Sequence, residues 1–99
     1  MLVFEWDEKK AHANLQKHGI SFDTAAAVFL DEDRLEYYDA IHSIDEDRYY
    51  TIGRAGDVLF VVYTERMNRR GIEVIRLISA RLADPSERKK YYGYLYSGR

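Results

Sequence analysis

Cysteine is absent from this chain, so disulfides, thiolate catalysis and cysteine-ligated zinc are all excluded. A reducing cytoplasm fits that composition. Proline occurs once, at Pro85, and the six glycines never cluster into a phosphate-cradling loop. No apolar run approaches the length needed to cross a bilayer, and Met1–Asp7 lacks the character of a signal peptide. The expectation is a soluble cytoplasmic protein with no membrane partner. There is little excess charge of either sign: the formal net charge of −2 gives no general attraction to nucleic acid. No nucleophile elbow or zinc-protease helix motif occurs, and His12 and His18 stand too far apart on a helix to share a face. No metal and no cofactor is expected.

What is present is uneven. Residues 31–47 carry eight acidic side chains against the lone Arg34, whereas residues 66–90 carry Arg66, Arg69, Arg70, Arg76, Arg81, Arg88, Lys89 and Lys90 against three acids. This reads either as two solvated faces of opposite sign or as a basic anion site on an otherwise acidic protein. Nine tyrosines, several in pairs, suit core-edge packing; stacking of bases is the less favoured use.

Ninety-nine residues suit one small domain, 1–99. Leu2–Trp6 reads as a strand. Asp7 caps a helix that Gly19 stops, and Ser21 caps a second, whose Phe22, Ala25, Ala26, Val28 and Phe29 fall at helical spacing. Strands follow over 35–38, 48–54, 58–66 and 72–81, joined by connections too short for parallel crossovers. Asp84, Pro85 and Glu87 announce a final helix. The predicted class is α+β: an N-terminal helical hairpin packed on a four- to five-stranded twisted antiparallel sheet, with a C-terminal helix.

The chemistry-bearing candidates are arginines inside or beside strands. A guanidinium is costly to bury and always charged, so it needs an anionic partner, internal or bound. For Arg76 the internal partner would be a core-edge carboxylate such as Glu46 or Glu65, and the external one a phosphate held bidentately. Regular alternation sends Arg76 and Arg81 to opposite faces, and a bulge near Ser79 would reverse that. Arg66 and Arg81 sit at strand ends. Arg69 and Arg70 lie in a turn and Arg48 opens a strand. Lys17 and His18 close the first helix, where the macrodipole favours cations; the functional alternative is proton exchange by His18 with Lys17 stabilising anionic charge. His12 and His42 read as surface residues.

One set of blocks resembles a known family. Phe4-Glu-Trp-Asp7, Lys10, Asn14-Leu-x-Lys-His-Gly19, Phe22 and Ala25 are followed by Glu46-x-Arg48-Tyr49, Ile52-Gly53, Val61-Val-Tyr-Thr-Glu-Arg66, Ile75-Arg-Leu-Ile-Ser-Ala-Arg81, Glu87-Arg88 and Tyr91. In this order they resemble the BrnT toxins of BrnT/BrnA type II toxin–antitoxin pairs, over about residues 3–92. The resemblance implies a RelE-like fold and a ribonuclease that arrests growth by cleaving RNA. It also implies neutralisation by a BrnA-type antitoxin in a heterotetramer, with DNA contacted only through the antitoxin. It maps function onto Lys17, His18, Arg48, Arg66, Arg76 and Arg81. The roles expected from side-chain chemistry are catalysis for Lys17, His18, Arg66, Arg76 and Arg81, and substrate binding for Arg48, Arg69 and Arg70. The reading from a different class is a non-catalytic module that docks a small antitoxin-like protein.

Overall fold

A computed structural model of the chain describes residues 2–97. Capping chemistry places its helices. Asp7 accepts hydrogen bonds from the backbone of Lys9 and Lys10 and opens α1 (Glu8–His18). Gly19 closes it in the left-handed conformation (φ 72°), which costs glycine nothing. Ser21 caps α2 (Phe22–Ala27), which tightens into a 3₁₀ turn over Val28–Leu30. Asp84 and Glu87 form a reciprocal capping box at the start of α3 (Pro85–Leu95).

Five strands make one sheet: β1 (Phe4–Glu5), β2 (Leu35–Tyr38), β3 (Tyr49–Ala55), β4 (Asp57–Met67) and β5 (Glu73–Leu82), in the spatial order β1-β5-β4-β3-β2. The β2–β5 meander is antiparallel, as short connections require. The expectation of a wholly antiparallel sheet is corrected at its edge. Phe4 and Glu5 pair in parallel with Ile75 and Arg76, so the sheet is mixed. The short-connection argument does not reach this pair, because both helices and three strands intervene between its members.

The register shifts once. Val62 faces Ser79 but Tyr63 faces Leu77, leaving Ile78 as an extra residue in β5. Leu77 and Ala80, three apart, therefore both enter the core beneath α1 and α2. Arg76 and Arg81 consequently share the opposite face, opposite Thr64 and Phe60. A regular strand would have parted them.

The two faces are covered differently. Phe22, Ala25, Val28 and Phe29 pack on Leu59, Val61, Tyr63, Leu77 and Ala80 to form the larger core. Gly53 belongs to this layer: a Cβ there would meet Val28 Cγ1 at 2.7 Å and Arg34 Cβ at 2.8 Å. On the other face Tyr91 of α3 joins Ile52, Val58 and Ala83, with Leu35, Tyr37, Phe60, Tyr92 and Leu95 around them. Only one end of that face is covered by α3; the rest carries Arg66, Arg76 and Arg81.

Asn14 fastens α1 to the sheet. Its amide donates to the carbonyls of Ala80 (2.8 Å) and Ile20 (3.0 Å) and accepts from the Ala80 N–H (3.1 Å). The side chain stands in for a neighbouring strand along an edge that the two-residue β1 leaves open. Among the described residues no helix is long and apolar enough to cross a membrane.

Candidate active site on the open sheet face

A cleft of about 350 Å³ opens on the face that α3 leaves uncovered, lined by Asp39, His42, Arg48, Phe60, Val62, Ile78, Ser79 and Arg81. Its floor is strand, which fixes Phe60, Val62, Ser79 and Arg81 in register. The bulge brings Ile78 and Ser79 together into the lining. Its wall is the loop 39–48.

That loop is held by its own polar groups. The Asp39 N–H donates to the Arg48 carbonyl at 2.8 Å, as if the β2–β3 ladder ran one step further. The Ser43 hydroxyl donates to the Asp39 carbonyl (2.6 Å) and accepts from the Arg48 N–H (2.8 Å). Tyr38 donates its hydroxyl to Asp47 (2.9 Å). The result is a fixed arch that places His42 beside the cleft with 65% of its side chain exposed.

His42 Nδ1 lies 2.9 Å from Asp39 Oδ2. Desolvation alone would raise Asp39, but hydrogen bonds from the His42 ring and backbone outweigh it and hold the carboxyl below its ordinary range. An ionised carboxylate only accepts, so Nδ1 is the donor in this contact, and a neutral ring would then present a lone pair at Nε2. Imidazole is the side chain suited to proton exchange near neutrality, and a carboxylate on its far nitrogen orients it for that work.

Arg81 is held on two sides. Its guanidinium lies 4.2 Å above the Phe60 ring and bonds both Glu87 oxygens, at 2.8 and 2.9 Å. Glu87 thereby pushes Arg81 further above its already high value, so it stays charged at any working pH. Phe60 is itself one rung of a stack: Tyr37, Tyr50 and Phe60 lie nearly parallel at 5.0 and 4.9 Å. Lys90 sits over Tyr37 at the other end. Both ends are capped by cations and the inner faces cover one another, so these rings brace Arg81 and leave no face for a base.

The remaining candidates fall into three groups. Arg66 and Arg76 both bond the same oxygen of Glu5, at 2.6 and 3.0 Å, further along the open face. Arg76 does have an internal carboxylate partner, but it is Glu5, 71 residues away, and neither of the suggested Glu46 and Glu65. Among the described residues Arg48 has no ion pair, and it lines the cleft. The open face thus sets Arg48, Arg66, Arg76 and Arg81 against Glu5, Glu87 and the Asp39 carboxylate, leaving about one positive charge uncompensated. Arg69 and Arg70 are exposed in the β4–β5 turn, away from the cleft lining. Lys17 and His18 end a helix on the opposite side of the sheet, and neither lines the cleft. The structure does not bring them together with the arginines.

Electrostatics distinguishes this cleft from two others. A cavity of about 280 Å³ between Trp6, α1 and Phe22 is lined by Glu8 and Asp23 with no lysine or arginine. One of about 230 Å³ beneath Phe29 has Glu36, Glu65 and Glu73 against Arg34. Either would repel phosphate. Among the described residues no three acidic or histidine side chains are grouped to hold a metal ion.

The model of one family, described as the ribonuclease toxin BrnT of type II toxin–antitoxin systems, matches residues 6–87. The chain belongs to the BrnT family. No curated protein matches it significantly. For a BrnT protein the family description supplies an RNA target and an antitoxin partner. An open face on which guanidinium groups outnumber carboxylates, with an imidazole set on Asp39, is chemically suited to the first. His42, Asp39, Phe60 and Ser79 line the cleft but were not among the site candidates read from the sequence. The one local signal was Asp39-x-x-His42 within a turn-rich stretch, a spacing at which the carboxylate can reach the ring.

Proposed function

We propose that this chain is a metal-independent endoribonuclease of RelE-like architecture. It arrests growth in the cytoplasm by cutting RNA in the cleft between the 39–48 arch and β5. The observation that carries this reading is the Asp39–His42 pair and Arg48 on the arch lining one cleft with the braced Arg81 of its floor. His42 Nε2 accepts the proton of an RNA 2′-hydroxyl. The 2′-oxygen attacks phosphorus, and the bond to the 5′-oxygen breaks. The products are a 2′,3′-cyclic phosphate and a 5′-hydroxyl, the leaving oxygen taking its proton from water. Arg81 and Arg48 stabilise the charge that builds on the phosphoryl oxygens, a task for which a planar, permanently charged fork is suited. Ser79 is placed to donate to the same oxygens. Arg66 and Arg76, half-neutralised by Glu5, bind the RNA backbone further along the face. Lys17 and His18 serve as basic side chains of the last turn of α1, where the macrodipole favours them. The partner is a BrnA-type antitoxin in a heterotetramer, through which alone DNA is contacted.

The test is cleavage of single-stranded RNA by purified protein in EDTA, with mapping of the new ends. Cyclic phosphate and 5′-hydroxyl ends are expected, with a rate that falls about 10²–10³-fold in Arg81→Ala. No cleavage in EDTA, or 5′-phosphate products, would overturn the mechanism.

A further inference from the structure

The arch that carries His42 also carries an unexplained cost. Ile41 and Ile44 are 82% and 84% exposed, more than any other large apolar side chain described. They are not on a frayed tail. The segment is fastened by Ser43, Asp39, Tyr38 and the Arg48 backbone, so both isoleucines are presented to water in a fixed pose. Holding apolar side chains rigidly in solvent gains nothing for the isolated fold, whereas a preorganised apolar pair is what an interface uses.

The surroundings indicate what covers them. A second cavity, about 260 Å³, lies on the outer side of the arch and is lined by His42, Ile44, Asp45, Glu46 and Arg48. Among the described residues Asp45 and Glu46 make no hydrogen bond or ion pair, so their charge is uncommitted. One apolar wall beside two free carboxylates fits a lysine or arginine side chain whose stem lies on Ile44 while its head reaches the acids. Two side chains, His42 and Arg48, line both this cavity and the cleft. An occupant of the outer cavity therefore touches the residues on which cleavage would depend.

We infer that the 39–48 arch is the docking surface for the antitoxin, which binds with a segment of aliphatic and basic residues and blocks the cleft through His42 and Arg48. The blocking half rests on the function proposed above; the docking half does not. Ion pairing with Asp45 and Glu46 would speed encounter, and the apolar contact with Ile41 and Ile44 would slow release.

The test uses the full chain and the antitoxin encoded with it, with two double variants, Ile41→Ser/Ile44→Ser and Asp45→Lys/Glu46→Lys. None of these residues is assigned to the chemistry. Each variant is expected to melt like the parent and to arrest growth when expressed alone. Each should lose at least tenfold in antitoxin affinity and escape rescue by co-expression. The charge variant should also lose the salt dependence of the association rate. Affinity within twofold of the parent in both variants would overturn the inference. So would a parent that self-associates through this surface while the monomerised variant still binds antitoxin normally, since the occupant would then be a second copy. A parent that neither cuts RNA nor arrests growth, yet binds antitoxin through the arch, would sink the nuclease reading and leave the docking surface standing.

Discussion

Replacing Asn14 with alanine should be among the most damaging single changes in this chain, although the residue touches no part of the cleft. Its amide makes three hydrogen bonds, two of them with the backbone of Ala80. Asn14 is only 7% exposed and Ala80 is fully buried. Each lost bond costs about 1 kcal/mol net, and an orphaned buried N–H or C=O costs about 1–3 kcal/mol. Part of that overlaps, and the vacated space is small, so about 3–5 kcal/mol is expected. A domain of this size holds about twice that in total, with each kcal/mol moving the midpoint by about 4–8 °C. The midpoint should therefore fall by roughly 15–35 °C in a thermal scan followed by circular dichroism. Asn14→Asp should recover little, because a carboxylate set against the Ala80 carbonyl accepts and cannot donate. Leu15→Ala, next to it but 47% exposed, is the control and should shift the midpoint only slightly. A loss below about 1 kcal/mol in Asn14→Ala would refute the claim that this amide substitutes for a strand at the β5 edge.

Gly53→Ala should destabilise by about 1–3 kcal/mol, because the added methyl overlaps Val28 and the Arg34 Cβ; an unchanged denaturant midpoint would show that the α2 layer yields. Arg81→Lys should keep the fold but lose most of the cleavage rate. Lysine keeps the charge and forfeits both the stack on Phe60 and the two-oxygen bond to Glu87, so a rate within threefold of the parent would refute the bracing argument. Tyr63 and Tyr91 give a pH signature. Burial first, and then the Glu36 and Asp31 carboxylates to which they donate at 2.6 Å, push both hydroxyls above the ordinary tyrosine range. A raised folded-state value stabilises fully below the unfolded value of about 10 and is lost as pH climbs beyond it. Unfolding midpoints should thus fall above about pH 10, with these two tyrosines ionising only on unfolding. Ionisation of all nine before any loss of structure would contradict this.

What was legible in the sequence was local. Asp7, Gly19, Ser21 and Asp84 mark helix ends through bonds that span two to four residues, and each sits where its chemistry predicts. The β2–β5 meander follows from alternation and short turns. What was not legible depends on distant partners. The parallel β1–β5 pair joins residues more than seventy apart, and so does the Glu5 carboxylate that binds Arg76. The bulge at Ile78 carries no glycine to announce it, yet it decides whether Arg76 and Arg81 share a face. His42 reads as a surface histidine because it is one; only the fold of the arch over β4 and β5 shows that this surface is a cleft. Arginine was the right residue type to follow, but each guanidinium had to be weighed against its own internal acid. Among the described residues that comparison leaves Arg48 as the cleft guanidinium without an acid and Arg81 as one already paired with Glu87, while position alone removes the Lys17–His18 corner.

The two histidines separate the alternatives most directly. RNA cleavage rates should be compared for the parent, His42→Ala and His18→Ala, each shown by thermal scan to be folded. A rate at least a hundredfold lower in His42→Ala, with His18→Ala close to the parent, is the predicted result. Full activity in His42→Ala, or loss confined to His18→Ala, would place the chemistry on the other side of the sheet and contradict the assignment.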